Sequence, residues 1–171
     1  MIRAIFCDFD GVLASWRDWY SNPYHLSSPV NNIENKTIQC IDRFAPKDTY
    51  FIPTSSWSAR FLKNIRSVND WLRQLNCLNL KEFKFPILQS YIPKQSLPTS
   101  VIHNAKEYRP ALIKAFIEGN NIDQHICLDD ESEKCYIKYG LNIIKTDPYE
   151  GITFNNITKI YEVFEQWKTQ N

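Results

Sequence analysis

Residues 6–13, Phe-Cys-Asp-Phe-Asp-Gly-Val-Leu, place two carboxylates two positions apart at the end of an apolar run. Ile2–Phe9 is rich in apolar residues and bounded by Gly11, the pattern of a buried strand. Gly11 permits a turn that points Asp8 and Asp10 into one crevice. Two carboxylates about 5 Å apart repel by roughly 3 kcal/mol at an effective dielectric near 20. Such a pair requires a cation, a shared proton, or both.

The remaining pattern alternates strands with helices. Strands are predicted at Asp48–Pro53, near Phe85–Leu88, at Ile126–Leu128 and at Leu141–Lys145. Helices are predicted at Asn31–Phe44, Ala59–Asn76, Lys106–Glu118, Glu133–Tyr139 and Ile157–Trp167. Pro110 falls in the first turn of its helix, Gly119 closes that helix, and Gly140 stops the next. Residues 14–31 read as a long loop or flap. This order predicts an α/β fold: a Rossmann-like three-layer sandwich on a parallel sheet of about five strands. One domain spans 1–171.

Composition narrows the partners. A net charge of +1 gives no bulk signature for nucleic acid. Five cysteines, with no Cys-x-x-Cys pair, read as reduced thiols rather than a disulfide frame or a zinc site. His25, His103 and His125 show no metal-ligand spacing. No apolar stretch approaches the ~20 residues that span a bilayer. Met1 leads directly into a strand, so no signal peptide is expected, and a cytoplasmic protein without membrane or obligate protein partners is.

In open α/β sheets, ligands bind beyond the carboxyl ends of the strands. The first strand ends in Asp8 and Asp10, the second in Thr54 and Ser55, a later one in Asp129 and Asp130. Lys106 and Arg109 open a helix between the last two. The order is a carboxylate pair, a hydroxyl, a cation and a carboxylate pair. Each has a plainer reading: turn caps for Asp8 and Asp10, helix caps for Thr54-Ser55-Ser56 and for Asp129-Asp130, and solvated cations for Lys106 and Arg109.

These residues resemble the motifs of the haloacid dehalogenase-like superfamily of phosphatases. Asp8-Phe9-Asp10-Gly11-Val12 matches the first motif, Thr54 or Ser55 the second, Lys106 or Arg109 the third, and Asp129-Asp130 the fourth. Ser55-Ser56-Trp57, Leu128-Asp129-Asp130, and Thr146-Asp147-Pro148 with Gly151-Ile152-Thr153 resemble the small phosphatase domain of Swiss Army Knife RNA-repair proteins. That subfamily often has Arg after its Ser-Ser-Trp, where this chain has Ser58.

The resemblance implies an aspartyl-phosphate mechanism with Asp8 as nucleophile and Asp10 as general acid and base. It implies Mg²⁺ held by Asp8, the Asp10 carbonyl and Asp130, with Asp129 in support. Ser55 or Thr54 would donate to a phosphoryl oxygen, and Lys106 or Arg109 would neutralise its charge. The motif spacing leaves no room for a large cap domain, which suits a bulky phosphorylated substrate such as a nucleic-acid end. A small-molecule phosphatase with a flap and an idle phosphate- or partner-binding module are the alternatives. Trp16, Trp19 and Tyr20 would stack bases or form a lid.

Overall fold

Strands of apolar residues on both faces demand two covering layers. The computed structural model describes residues 1–15, 17, 35–55, 67–84, 88, 97, 99–102 and 105–170. Its strands are β1 (Arg3–Cys7), β2 (Thr49–Pro53), β3 (Leu80–Glu82), β4 (Gln124–Asp129) and β5 (Ile143–Lys145). All pair in parallel, in the order β3-β2-β1-β4-β5. Among the described residues the helices are α1 (Asn35–Phe44), α2 (Val68–Gln74), α3 (Thr99–Ile102), α4 (Ala105–Asn120), α5 (Glu133–Lys138) and α6 (Phe154–Thr169).

The two-residue period of β1 divides the core. Ile5 and Cys7 pack with Ile38 and Ile41 of α1, Trp71 of α2, and Ile160 and Phe164 of α6. Ala4 and Phe6 point the other way, into Leu112, Ile113 and Phe116 of α4 and Tyr136 of α5. The three-layer α/β sandwich expected from the sequence is therefore present.

Several local expectations are corrected. The helix expected over Ala59–Asn76 does not run unbroken, because Ser67 is extended (φ −154°) and its hydroxyl accepts from the Asp70 amide at 3.0 Å. It caps a new helix there; residues 56–66 lie outside the described set. The third strand lies at Leu80–Glu82, not near Phe85–Leu88, of which only Leu88 is described, in a 3-10 turn. The buried Asp42 carboxylate fixes that position by accepting from the amides of Leu78, Asn79 and Leu80 at 2.8–2.9 Å. Pro110 sits inside α4 rather than in its first turn, and Asn121 (φ 52°), not Gly119, ends that helix. The Ile122 amide closes it onto the Ile117 carbonyl at 3.1 Å.

Thr153 caps α6 in a reciprocal box with Asn156, whose amide also reaches the Lys145 carbonyl at 2.9 Å. All five cysteines are free thiols. No described helix is long and apolar enough to cross a membrane.

Candidate active site

Strand register brings the acids together. Cys7 pairs with Pro53 on one side and Leu128 on the other. The next residues, Asp8, Thr54 and Asp129, therefore stand side by side at the carboxyl edge. The ladder extends one step to hold them: the Asp8 amide donates to the Leu128 carbonyl at 2.9 Å, and the Thr54 amide to the Cys7 carbonyl at 2.8 Å. By the same alternation, Asp8 and Asp129 continue the face of Phe6 and Cys127, which α4 and α5 cover.

Those helices supply the partners. Arg109 precedes Leu112, Ile113 and Phe116 on the sheet-facing stripe of α4, so its side chain reaches over the strand ends. Its Nη1 lies 2.6 Å from Asp8 Oδ2 and 2.6 Å from Asp129 Oδ2. Lys106, one turn earlier, is exposed. Asp129 Oδ2 also accepts from the Tyr136 hydroxyl at 2.6 Å, and its Oδ1 from the Glu131 amide at 2.9 Å. Asp8 Oδ1 accepts from the Phe9 amide at 2.8 Å.

The acids crowd. Asp8, Asp129 and Asp130 each offer a carboxylate oxygen, all within 4.8 Å of one another. Burial pushes the Asp8 carboxyl up to about 6; Arg109 opposes the rise and Asp129 adds to it. Burial also raises Asp10, against the pull of Arg109. It raises Asp130 too, with Asp129 adding its charge. Burial alone would weaken the hold of Arg109 on its proton, but the Asp8 and Asp129 carboxylates outweigh it and keep the guanidinium charged. Cys7 and Cys127 have thiols pushed far up by burial and by these acids, so neither is a nucleophile.

The turn after β1 is tightly built. The Phe9 carbonyl accepts from the amides of Val12, Leu13 and Ala14 at 2.8–3.2 Å. Gly11 has φ +68°, and a Cβ there would lie 2.6 Å from Asp130 Oδ2. The bare glycine lets the Asp130 carboxylate lie against the backbone. From below, the Thr146 hydroxyl donates to the Gly11 carbonyl at 2.8 Å, and the Ile152 amide to the Val12 carbonyl at 3.0 Å. Asp147 takes the turn-capping role: its Oδ1 accepts from the Tyr149 and Glu150 amides at 2.8 and 3.2 Å. Arg17 fastens to the same loop through an ion pair with Glu150 and a face contact with the Tyr149 ring.

For a divalent cation taken up by these acids, Gly11→Ala is expected to weaken affinity about 10- to 100-fold, because the new methyl must displace Asp130. Gly140→Ala is the control. Gly140 has φ +69° with nothing within 4 Å of an added Cβ, so the same backbone penalty should lower Tm and leave cation affinity unchanged. Calorimetric titration with Mg²⁺ on both variants checks this.

Thr54 and Ser55 are both buried at the end of β2. Trp16, Trp19, Tyr20, Ser56, Trp57, Ser58, Arg60, His25 and His103 lie outside the described residues. Tyr136 is a contributor that sequence reading passed over, and Thr146, named there only within a motif, had been given no role. A helix opening three residues after an acidic pair was the available signal for Tyr136.

No curated protein and no solved structure matches the chain. The family model for the HAD domain in Swiss Army Knife RNA repair proteins matches residues 4–157, from β1 to the first turn of α6. The chain thus belongs to the haloacid dehalogenase-like family, as a HAD domain of the kind found in those repair proteins, and that family's members are generally hydrolases, phosphatases among them.

Proposed function

We propose that this protein is a Mg²⁺-dependent phosphomonoesterase that works through an aspartyl-phosphate at Asp8. The observation that carries the reading is the meeting of Asp8 with Asp129, Asp130 and Arg109 at one strand-end crevice. Three carboxylates and one guanidinium leave a local excess of negative charge, and hard oxygen ligands in that number suit Mg²⁺. The residues that would hold the ion are Asp8, the backbone carbonyl of Asp10, and Asp130, with Asp129 beside them. When bound, the ion offsets the charge of Asp8 and of the incoming phosphate.

The residues then divide the work. An Asp8 oxygen bonds to phosphorus as the ester P–O bond breaks, and Asp10 delivers a proton to the departing oxygen. Asp10, now a base, takes a proton from water as the water oxygen attacks phosphorus and Asp8 leaves. The raised pKa of Asp10 suits the first step, since the group must arrive protonated. Arg109, with Thr54 or Ser55, would draw charge from the equatorial phosphoryl oxygens. The named relatives repair RNA, and the short inserts between motifs suit a bulky substrate, so phosphorylated nucleic-acid ends are the proposed substrate class.

Cation binding should depend on pH. With the Asp8 carboxyl near 6, a proton competes with the cation below that value. Apparent Mg²⁺ affinity should rise as pH passes through about 6 and level off above it. The metal-free protein should behave oppositely. The folded pKa exceeds the ordinary 3.8, so this group's contribution to stability is full below 3.8 and is lost as pH rises to about 6. Thermal unfolding with and without Mg²⁺ across pH 4–8 measures both; a metal-free protein that gains stability over this window through Asp8 would contradict the reading.

Turnover of p-nitrophenyl phosphate with and without Mg²⁺ tests the activity. Rates on a 3′-phosphorylated oligonucleotide against a nucleoside monophosphate test the substrate class. A higher kcat/KM on the monophosphate would transfer the assignment to small molecules, and no turnover on any ester would leave a phosphate-binding module.

A further inference from the structure

Tyr136 is wholly buried, yet it is a tyrosine and not a phenylalanine. Its ring packs in the apolar layer with Leu112, Phe116 and Leu141. The hydroxyl leaves that layer to donate to Asp129 Oδ2 at 2.6 Å, the same oxygen that Arg109 Nη1 contacts. A buried phenol needs an acceptor, and a buried carboxylate needs donors.

The carboxylate of Asp129 is thus held from three directions: Tyr136 and Arg109 on Oδ2, and the Glu131 amide on Oδ1. A carboxylate accepts about four hydrogen bonds in all. Little of Asp129 is left for a cation, whereas Asp130 lies against the open side of Gly11. We infer that Tyr136 is a positioning residue, locking the Asp129 carboxylate so that Asp129 holds the Arg109 guanidinium against Asp8.

The chain Tyr136–Asp129–Arg109–Asp8 runs from the α5 layer to the proposed nucleophile. Each link is 2.6 Å. A guanidinium fixed in this way meets a phosphoryl group without first losing side-chain freedom. The consequence for catalysis rests on the phosphatase reading; the geometric link does not.

The test is Tyr136→Phe, which deletes one hydroxyl and keeps the ring. Side-chain NMR on isotope-labelled arginine, assigned with Arg109→Lys, reads the link directly. In the wild type, the Arg109 Nη protons should give separate, slowly exchanging signals. In Tyr136→Phe they should average. Inorganic phosphate should bind about tenfold more weakly, and KM should rise more than kcat falls.

Arg109 signals and phosphate affinity that stay at wild-type values, with only Tm lowered, would reduce Tyr136 to packing and overturn the inference. If Tyr136→Phe fails to fold, Asp129→Asn should average the same signals. Averaged signals in the wild type would overturn the proposal without any variant. A wild type without esterase activity whose Arg109 still responds to Tyr136→Phe would reject the phosphatase reading and keep the positioning link.

Discussion

Asp8→Asn is expected to lose on the order of 10⁴-fold or more in kcat on any phosphomonoester, because it removes the attacking oxygen, which the neighbouring thiols and Asp129 cannot replace. Cys7 and Cys127 cannot, since burial and the neighbouring acids hold their thiols protonated. Asp129 is already bound by Arg109, Tyr136 and the Glu131 amide. The fold should survive the change. The Asp8 carboxyl is pushed up to about 6, chiefly by burial, so above that pH the metal-free fold carries a buried anion at a cost in stability. Removing that anion should leave Tm at pH 8 without metal no lower than in the wild type. Parallel kinetics and thermal unfolding would show both effects. An active Asp8→Asn protein would end the nucleophile assignment; an inactive but unfolded one would show that Asp8 is needed first for structure.

Arg109→Ala should be nearly as damaging, and Lys106→Ala should not be. The guanidinium offsets two carboxylates that are almost wholly buried, at 2.6 Å from each. Deleting it leaves those charges unpaired, which costs about 3–5 kcal/mol in comparable buried pairs. Loss of a charge donor to the phosphoryl oxygens should lower kcat/KM about 10²- to 10³-fold. Mg²⁺ should recover part of the stability by pairing with the same acids, and little of the activity. Lys106 is exposed one turn away, and its replacement should alter kcat/KM by no more than a few fold. Equal losses in the two variants would mean that α4 presents both cations to substrate.

Legibility followed the range of the forces involved. β1 and β4 were evident because each is an apolar run ending in acids, and parallel pairing places such ends together. Asp8, Asp129 and Asp130 could therefore be assembled from the chain alone. Which of Lys106 and Arg109 meets these acids could not be read from it, because that depends on how far α4 projects past the strand ends. β3 was misplaced because its short, charged edge strand carries little apolar signal. Its position is set by Asp42, a residue distant in sequence. The break at Ser67 escaped because apolar spacing continues across it, while the cap is a single hydroxyl. Hydrophobicity would also bury Ile137 before Tyr136, yet Ile137 is 60% exposed and Tyr136 is fully buried. The demand of Asp129 for a donor offers a reason for that inversion.

The identity of the phosphorylated atom tests the account most directly. Enzyme mixed with substrate and Mg²⁺ is quenched with acid during turnover, reduced with borohydride, and digested for mass spectrometry. Borohydride converts an aspartyl-phosphate to homoserine and leaves a free carboxylate unchanged. Homoserine at position 8, absent when substrate is omitted, is the result expected. Hydrolysis that proceeds with homoserine at another acid, or at none, would contradict the account.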